Sequence, residues 1–111
     1  MEIKGYTLHG DYYLTDNVIP NKSWKQALKM EEEITLPNGK TIIAHILSKE
    51  ELKDIPQEER GMEDWYWTST SDGDECSWIV NGKGGFNSFH IFLGGESGGA
   101  RLGFKNPFIE S

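Results

Sequence analysis

Hydrophobic and polar positions alternate over short stretches of the chain that are separated by Gly, Asn and Asp, a pattern typical of β-strands joined by turns. Residues 3–15 predict a hairpin or bent strand that turns at Gly10, and residues 41–47 predict another strand. The C-terminal half adds four predicted strands, at 65–71, 77–80, 86–93 and 100–104. The first of these is rich in aromatic residues and threonine, which suit a buried pleated surface. We therefore expect it to be the central strand of the core.

Two serine-led capping boxes predict short helices. In each box a Ser hydroxyl accepts a hydrogen bond from the third backbone N–H of the helix, and a Gln or Glu three residues later reaches back. The box at Ser23 predicts a helix over 24–33, frayed at its end because its last residues are acidic. The box at Ser48 predicts a second helix that Pro56 ends, followed by a polar surface loop over 57–64.

The order of these elements is β, helix, helix and then a run of strands, with 17–22 as a connector, and it predicts a single α+β domain over residues 1–111. Five motifs occur along it in a fixed order: Trp24-x-x-Ala27, Leu47-Ser48-x-Glu50-Glu51-Leu52, Tyr66-Trp67-Thr68-Ser69-Thr70, Trp78-x-Val80 and Gly99-Ala100-Arg101-Leu102-Gly103-Phe104. Over residues 20–106 this order resembles that of bacterial and phage C-type-lectin-like domains of the Lcl C-terminal type.

The resemblance implies an α+β, C-type-lectin-like fold in which two short helices flank a small antiparallel sheet, the terminal strands pair, and long glycine-rich loops carry the binding surface. Known members of that family mostly bind sugars, proteins or variable targets on phage and bacterial surfaces. The Glu-Pro-Asn and Trp-Asn-Asp calcium motifs of animal lectins are absent here, so calcium-dependent sugar binding by the animal mechanism is not expected. Four residues are expected in the structural core: Trp24, Trp67, Trp78 and Arg101.

Composition narrows the classes of partner. The formal net charge is −7, which disfavours direct nucleic-acid binding because that affinity comes mostly from Lys and Arg. No stretch approaches the roughly 20 apolar residues of a membrane span, and the first residues contain no apolar run of a secretory signal. The single cysteine excludes an internal disulfide and fits a reducing compartment. We therefore expect a soluble protein of the cytoplasm or of a phage particle, with no membrane partner.

Candidate nucleophiles and imidazoles are few. Cys76 follows two acidic residues, which disfavour a thiolate, so it is predicted to be structural. His9, His45 and His90 share no metal-binding spacing. His90 lies between two apolar residues of a predicted strand and is the best placed of the three for ligand contact. We expect no catalytic residue and no enzyme activity.

Metal and phosphate sites are also weakly indicated. Asp72, Asp74 and Glu75 form an acidic turn that offers carboxylates to calcium but lacks a full binding loop, so a solvated turn is favoured. The glycine runs at 82–85 and 94–99 contain no Walker-type phosphate loop. We therefore expect no cofactor.

The favoured function is a non-enzymatic binding module of phage or bacterial origin that recognises a protein or a carbohydrate. Its recognition surface is expected on the glycine-rich loops, since binding residues often lie on loops held by a rigid scaffold. These loops are 72–76, 82–90 and 94–99. The expected contact residues are Asn87, Phe89, His90, Glu96 and Ser97, and the aromatic residues expected to be exposed are Trp65, Phe86 and Phe89.

Two alternatives remain open. An acidic inhibitor that blocks a host nucleic-acid-binding or defence protein would use Glu31–Glu33 and Asp72–Glu75 as its patches. A structural subunit of a virion or surface assembly is the other.

Overall fold

The computed structural model describes residues 3–62, 64–90 and 98–108, and strands make up 47% of it and helices 14%. The strands are β1 (Tyr6–His9), β2 (Tyr12–Thr15), β3 (Ile19–Lys22), β4 (Glu32–Thr35), β5 (Thr41–Ile46), β6 (Tyr66–Ser71), β7 (Cys76–Val80), β8 (Phe86–His90), β9 (Gly98–Ala100) and β10 (Leu102–Lys105). The helices are α1 (Trp24–Lys29), α2 (Lys49–Leu52) and α3 (Gln57–Arg60). The described chain is therefore mostly β.

The strands form two five-stranded sheets. The first sheet has the order β1-β2-β10-β5-β4. Its outer strands β1 and β4 lie at opposite ends of this order, yet the Tyr6 hydroxyl on β1 donates a 2.8 Å hydrogen bond to Glu32 Oε1 on β4. The first sheet is therefore curled into a half-barrel. Burial, together with the Glu32 carboxylate, raises the pKa of the Tyr6 hydroxyl.

The second sheet has the order β3-β9-β6-β7-β8, so β6 is its central strand, as the aromatic stretch predicted. Trp67 on β6 is 1% exposed, and its Nε1 donates to the carbonyl of Lys22 at the end of β3. The half-buried Trp24 of α1 donates from its Nε1 to the carbonyl of Thr68. These two indole hydrogen bonds tie the N-terminal third of the chain to the central strand.

The chain crosses from the second sheet to the first at Arg101, between β9 and β10. Arg101 is 3% exposed. Its guanidinium donates to the carbonyls of Thr15 (2.8 Å) and Arg60 (3.3 Å) and lies 5.7 Å from the ring of Tyr66. A buried arginine thus joins both sheets and α3 through hydrogen bonds to two backbone carbonyls.

The predicted α+β, C-type-lectin-like class is wrong, because two β-sheets dominate and the helices are single turns or little more. The first helix ends at Lys29, since Met30 is already extended (ψ 131°) and residues 32–35 form β4, antiparallel to β5. One implied detail is present: β10 pairs antiparallel with β2, so strands from the two ends of the chain are neighbours.

Other local predictions also need correction. The region 17–22 is not only a connector, because it contains β3. The expected surface loop over 57–64 contains α3, whose Arg60 is 8% exposed. The expected last strand is split at Arg101 into β9 and β10, and the predicted strand 86–93 is described only as far as His90.

Candidate functional site

The structure separates the residues that the sequence proposed as a ligand surface. Asn87, Phe89 and His90 all lie on β8, which pairs only with β7 in the described sheet. Side chains alternate between the two faces of a strand, so Asn87 and Phe89 share one face and His90 lies on the other. Glu96 and Ser97 lie outside the described residues. The three described candidates therefore do not form one site.

The two side chains on the shared face both pack against other parts of the second sheet. Asn87 Oδ1 accepts a 2.6 Å hydrogen bond from Asn81 Nδ2 in the β7–β8 turn. Phe89 is half-buried and stacks on Trp65, with ring centroids 4.7 Å apart and planes 30° apart. Trp67 meets both rings edge-on, at 4.9 Å from Trp65 and 5.8 Å from Phe89. Phe89 therefore supports Trp65 as part of a three-ring cluster.

Trp65 borders a small cleft, hereafter the Trp65 cleft. Its volume is about 200 Å³, and its lining residues are Val18, Pro20, Asn21, Asp64, Trp65, Gly98 and Gly99. The cleft lies where β3, β9 and the start of β6 meet, three elements far apart in the sequence. Sequence reasoning proposed Trp65 as an exposed aromatic residue and the loop 94–99 as part of the surface, but it missed Asn21 and Asp64.

Two glycines allow the backbone of β9 to approach the walls of the Trp65 cleft. A Cβ on Gly98 would lie 2.2 Å from the Trp65 ring, and one on Gly99 would lie 2.1 Å from Val18. Real Cβ atoms do not approach other atoms so closely. The Gly98-Gly99 pair in the sequence is the signal that could have located the cleft, since glycine inside a strand often marks a close backbone approach.

Two polar side chains complete the lining. Asn21 has φ 61° and is the one non-glycine residue with positive φ in the described chain. Asn tolerates this left-handed conformation better than most residues, and such positions cluster at ligand-binding sites. The exposed Asp64 carboxylate has no hydrogen-bond or ion-pair partner among residues 3–62, 64–90 and 98–108. The cleft thus presents a carboxylate and an amide beside an indole ring.

A larger groove, of about 800 Å³, runs along β1. It is lined mainly by residues 3–8, with Tyr13 and Asp16. Two of its polar side chains are hydrogen-bonded to each other, because Thr7 Oγ1 donates to Asp16 Oδ1 at 2.5 Å. It offers fewer convergent free polar groups than the Trp65 cleft, and such groups are what fix a ligand's orientation.

The remaining sequence candidates are spread over other surfaces. The antiparallel register pairs Cys76 with His90, a juxtaposition that the sequence did not reveal, and the described structure records no hydrogen bond between them. Asp72, Asp74 and Glu75 are exposed on the β6–β7 turn. Within the described ranges, no group of three or more His, Cys, Asp or Glu side chains is arranged to hold a metal ion. No described helix is long and apolar enough to cross a membrane.

Comparisons with known proteins returned no match: no family model, no curated protein and no solved structure is similar to this chain. The resemblance to the lectin-like family therefore stays a prediction from the five motifs, and the fold rests on the structure described above.

Proposed function

We propose that this protein is a non-enzymatic binding module that takes a saccharide residue in the Trp65 cleft. The observation that carries the proposal is the pairing of a braced indole ring with two free polar side chains in one small cleft. A pyranose ring has an apolar C–H face that packs on an aromatic ring and hydroxyl groups around its rim. Trp65 supplies the aromatic surface, while Asp64 accepts hydrogen bonds and Asn21 both donates and accepts them.

The aromatic wall of the cleft is rigid before a ligand arrives. Phe89 stacks on one part of the Trp65 ring, the 1% exposed Trp67 meets it edge-on, and the Gly98 backbone lies against it. A ring held in this way loses little conformational freedom on binding, and ordering a mobile side chain otherwise costs about 0.5–1.5 kcal/mol. A tryptophan held in this way is suited to ligand recognition, whereas a tryptophan that is merely exposed on the surface is not fixed by its neighbours.

The size and charge of the cleft favour a small neutral ligand. Its volume of about 200 Å³ is below the roughly 300–1,000 Å³ of sites that enclose drug-sized ligands. The Asp64 carboxylate and the net charge of −7 disfavour nucleotides and other anions at this position. One carboxylate also gives no acid–base pair of the kind that glycoside hydrolysis uses. A single sugar ring of a longer glycan fits these limits.

The proposal is tested by screening immobilised glycans and then measuring affinities by calorimetry for the best binder. Asp64→Asn and Trp65→Leu should each weaken binding by about 10-fold or more, because a charged hydrogen bond or a buried ring contact is each worth about 1.5 kcal/mol or more. Asp72→Asn is the matched control, since it removes the same charge from the exposed β6–β7 turn, and it should change the affinity less than 2-fold (about 0.4 kcal/mol).

Two outcomes would overturn the proposal. The first is that no glycan binds, or that the best binder is indifferent to both cleft substitutions. The second is that basic peptides bind through Asp64 and Trp65 while saccharides do not. In that case the cleft recognises a cationic side chain of a protein partner, which an indole ring beside a carboxylate also attracts.

A further inference from the structure

A second surface lies on the opposite face of the β7–β8 hairpin from Phe89. The register pairs Trp78 with Ser88, and alternation places Phe86, Ser88 and His90 on the same side of β8. Lys49, the first residue of α2, lies over this side. We call the set Lys49, Trp78, Phe86, Ser88 and His90 the Lys49 face. It shares no residue with the Trp65 cleft.

Two cations lie on the aromatic rings of this region. Lys49 Nζ is 3.5 Å from the centroid of the Trp78 ring and 5.6 Å from that of Phe86. Arg60 Cζ lies 4.6 Å from the Phe86 ring. The ion pairs recorded in the described chain are His9–Glu59 and Lys53–Glu50, and neither involves Lys49 or Arg60.

In a protein with an excess of acidic residues, the placement of Lys49 and Arg60 on aromatic rings is unusual. With 18 acidic residues against 11 Lys and Arg, a cation readily finds a carboxylate, yet Lys49 and Arg60 contact aromatic rings instead. A ring quadrupole holds a cation in place by about 0.5–2 kcal/mol without neutralising its charge. The positive charge of Lys49 therefore remains available to a third group.

The buried Arg60 strengthens the positive potential beneath this face. It is 8% exposed, and its Nη1 donates to the carbonyl of Leu52 at 3.2 Å. Its Nε is one of two buried side-chain polar atoms, with Thr15 Oγ1, that have no hydrogen-bond partner among the described residues. A buried donor without a partner costs about 1–3 kcal/mol. The charge of Arg60 is thus incompletely compensated from within the described chain.

We propose that the Lys49 face binds the anionic group of an acidic saccharide, a carboxylate or a sulfate on a sugar ring. The Lys49 ammonium pairs with the anion, and the exposed Ser88 and His90 side chains lie beside it to hydrogen-bond sugar hydroxyls. The exposed Asp72–Glu75 turn directly precedes β7 and repels a polyanionic peptide laid along the hairpin. One isolated anionic group on an otherwise neutral ring avoids that repulsion.

The experiment follows the four indole N–H signals of the protein by NMR while galacturonate, a single sugar ring with one carboxylate, is added, with neutral galactose as the uncharged comparison. Trp78→Phe identifies the Trp78 signal. We expect galacturonate to shift the Trp78 signal more than the Trp65 signal, and galactose to leave the Trp78 signal unchanged.

Lys49→Gln should weaken galacturonate binding by about 10-fold or more, the effect of losing one charge-assisted hydrogen bond. Lys49→Arg should retain most of the affinity, which separates loss of charge from loss of packing on Trp78. Lys53→Gln is the matched control: it removes the same charge next to the same helix, from a lysine already paired with Glu50, and should change the affinity less than 2-fold (about 0.4 kcal/mol).

Four results would overturn the inference. Equal weakening by Lys49→Gln and Lys53→Gln would show non-specific charge attraction. Equal binding of galacturonate and galactose would show that no anion is recognised. Binding of a poly-glutamate peptide with displacement of galacturonate would assign the face to acidic proteins. Loss of binding in Asp64→Asn but not in Lys49→Gln would place the acidic saccharide in the Trp65 cleft, and would leave the proposed function standing.

Discussion

Gly98→Ala tests whether the Trp65 ring is fixed by the backbone of β9. The added methyl group would lie 2.2 Å from Cη2 and 2.3 Å from Cζ3 of Trp65, and 2.9 Å from Nε1 of Trp67. Ordinary carbon–carbon contact is about 3.5–4.0 Å. Either the Trp65 ring or β9 must therefore move by more than 1 Å. The Phe89 stack on one side and Trp67 on another resist movement of the ring.

The expected cost follows from these contacts. Forcing an extra methyl group into a well-packed site typically destabilises a protein by about 1–3 kcal/mol. For a chain of this length that corresponds to a fall in Tm of roughly 4–15 °C. Most of the cost arises from Trp65, because its two ring carbons are the nearest atoms. In a Trp65→Val background, which lacks those atoms, Gly98→Ala should cost about 1 kcal/mol less than in the wild type.

The assay is a double-mutant cycle measured by urea unfolding with circular dichroism. Gly73→Ala is the control glycine, because its cost comes from a positive φ of 80° with open space around it, and it should add to Trp65→Val without coupling. If Gly98→Ala costs the same with and without the Trp65 ring, the contact between ring and backbone does not exist as described. The description of the Trp65 ring as held by the backbone of β9 would then be wrong.

Two further substitutions test the frame around the cleft. Tyr6→Phe should destabilise the first sheet by about 1–2 kcal/mol at neutral pH by removing the hydrogen bond to Glu32. Burial and Glu32 raise the pKa of the Tyr6 hydroxyl in the folded protein, so the stabilising effect of this hydroxyl is complete below about pH 10 and is lost as the pH rises further. The melting temperatures of the wild type and Tyr6→Phe should therefore converge at alkaline pH. A constant difference up to about pH 12 would contradict this. Thr68→Val should cost about 1–3 kcal/mol in urea unfolding, because the fully buried hydroxyl donates to the Trp78 carbonyl at 2.7 Å and accepts from the Thr70 N–H. An unchanged unfolding midpoint for Thr68→Val would show that these hydrogen bonds are replaced by water.

Signals that act within a few residues were read correctly from the sequence. Both capping boxes form with reciprocal hydrogen bonds, at Ser23 with Gln26 and at Ser48 with Glu51. The hairpin that turns at Gly10 also forms, with β1 and β2 in register. In each case the partners are close in sequence, so the local pattern contains the information that decides the structure.

The segment that follows the first helix start was read incorrectly. Residues 32–35 follow a helical start, but Ile34 and Thr35 are β-branched and pair with β5 across a turn at residues 36–40. This hairpin starts at Glu32, so α1 ends at Lys29 and the chain is already extended at Met30. The α+β class failed for the same reason, since a correctly predicted helix start says little about helix length.

The candidate site was only partly predictable. Trp65 and the glycines of β9 carried local signals, but Asn21 and Asp64 are ordinary polar residues in the sequence. They gain their role because the second sheet places β9 between β3 and β6, in antiparallel and parallel pairs respectively. One parallel pair in a largely antiparallel structure has no short-range signature, because parallel strands need a long connection.

Arg101 anchors the chain beside the Trp65 cleft. It follows β9 directly, and its guanidinium is anchored by the carbonyls of Thr15 at the end of β2 and of Arg60 at the end of α3. The chain two residues after Gly99 is therefore bonded to both the first sheet and a helix. The Arg60 carbonyl also accepts the Tyr66 hydroxyl at 2.7 Å, so the strand that follows Trp65 is anchored at the same atom. The residue after β9 and the residue after Trp65 thus share one hydrogen-bond acceptor, the Arg60 carbonyl.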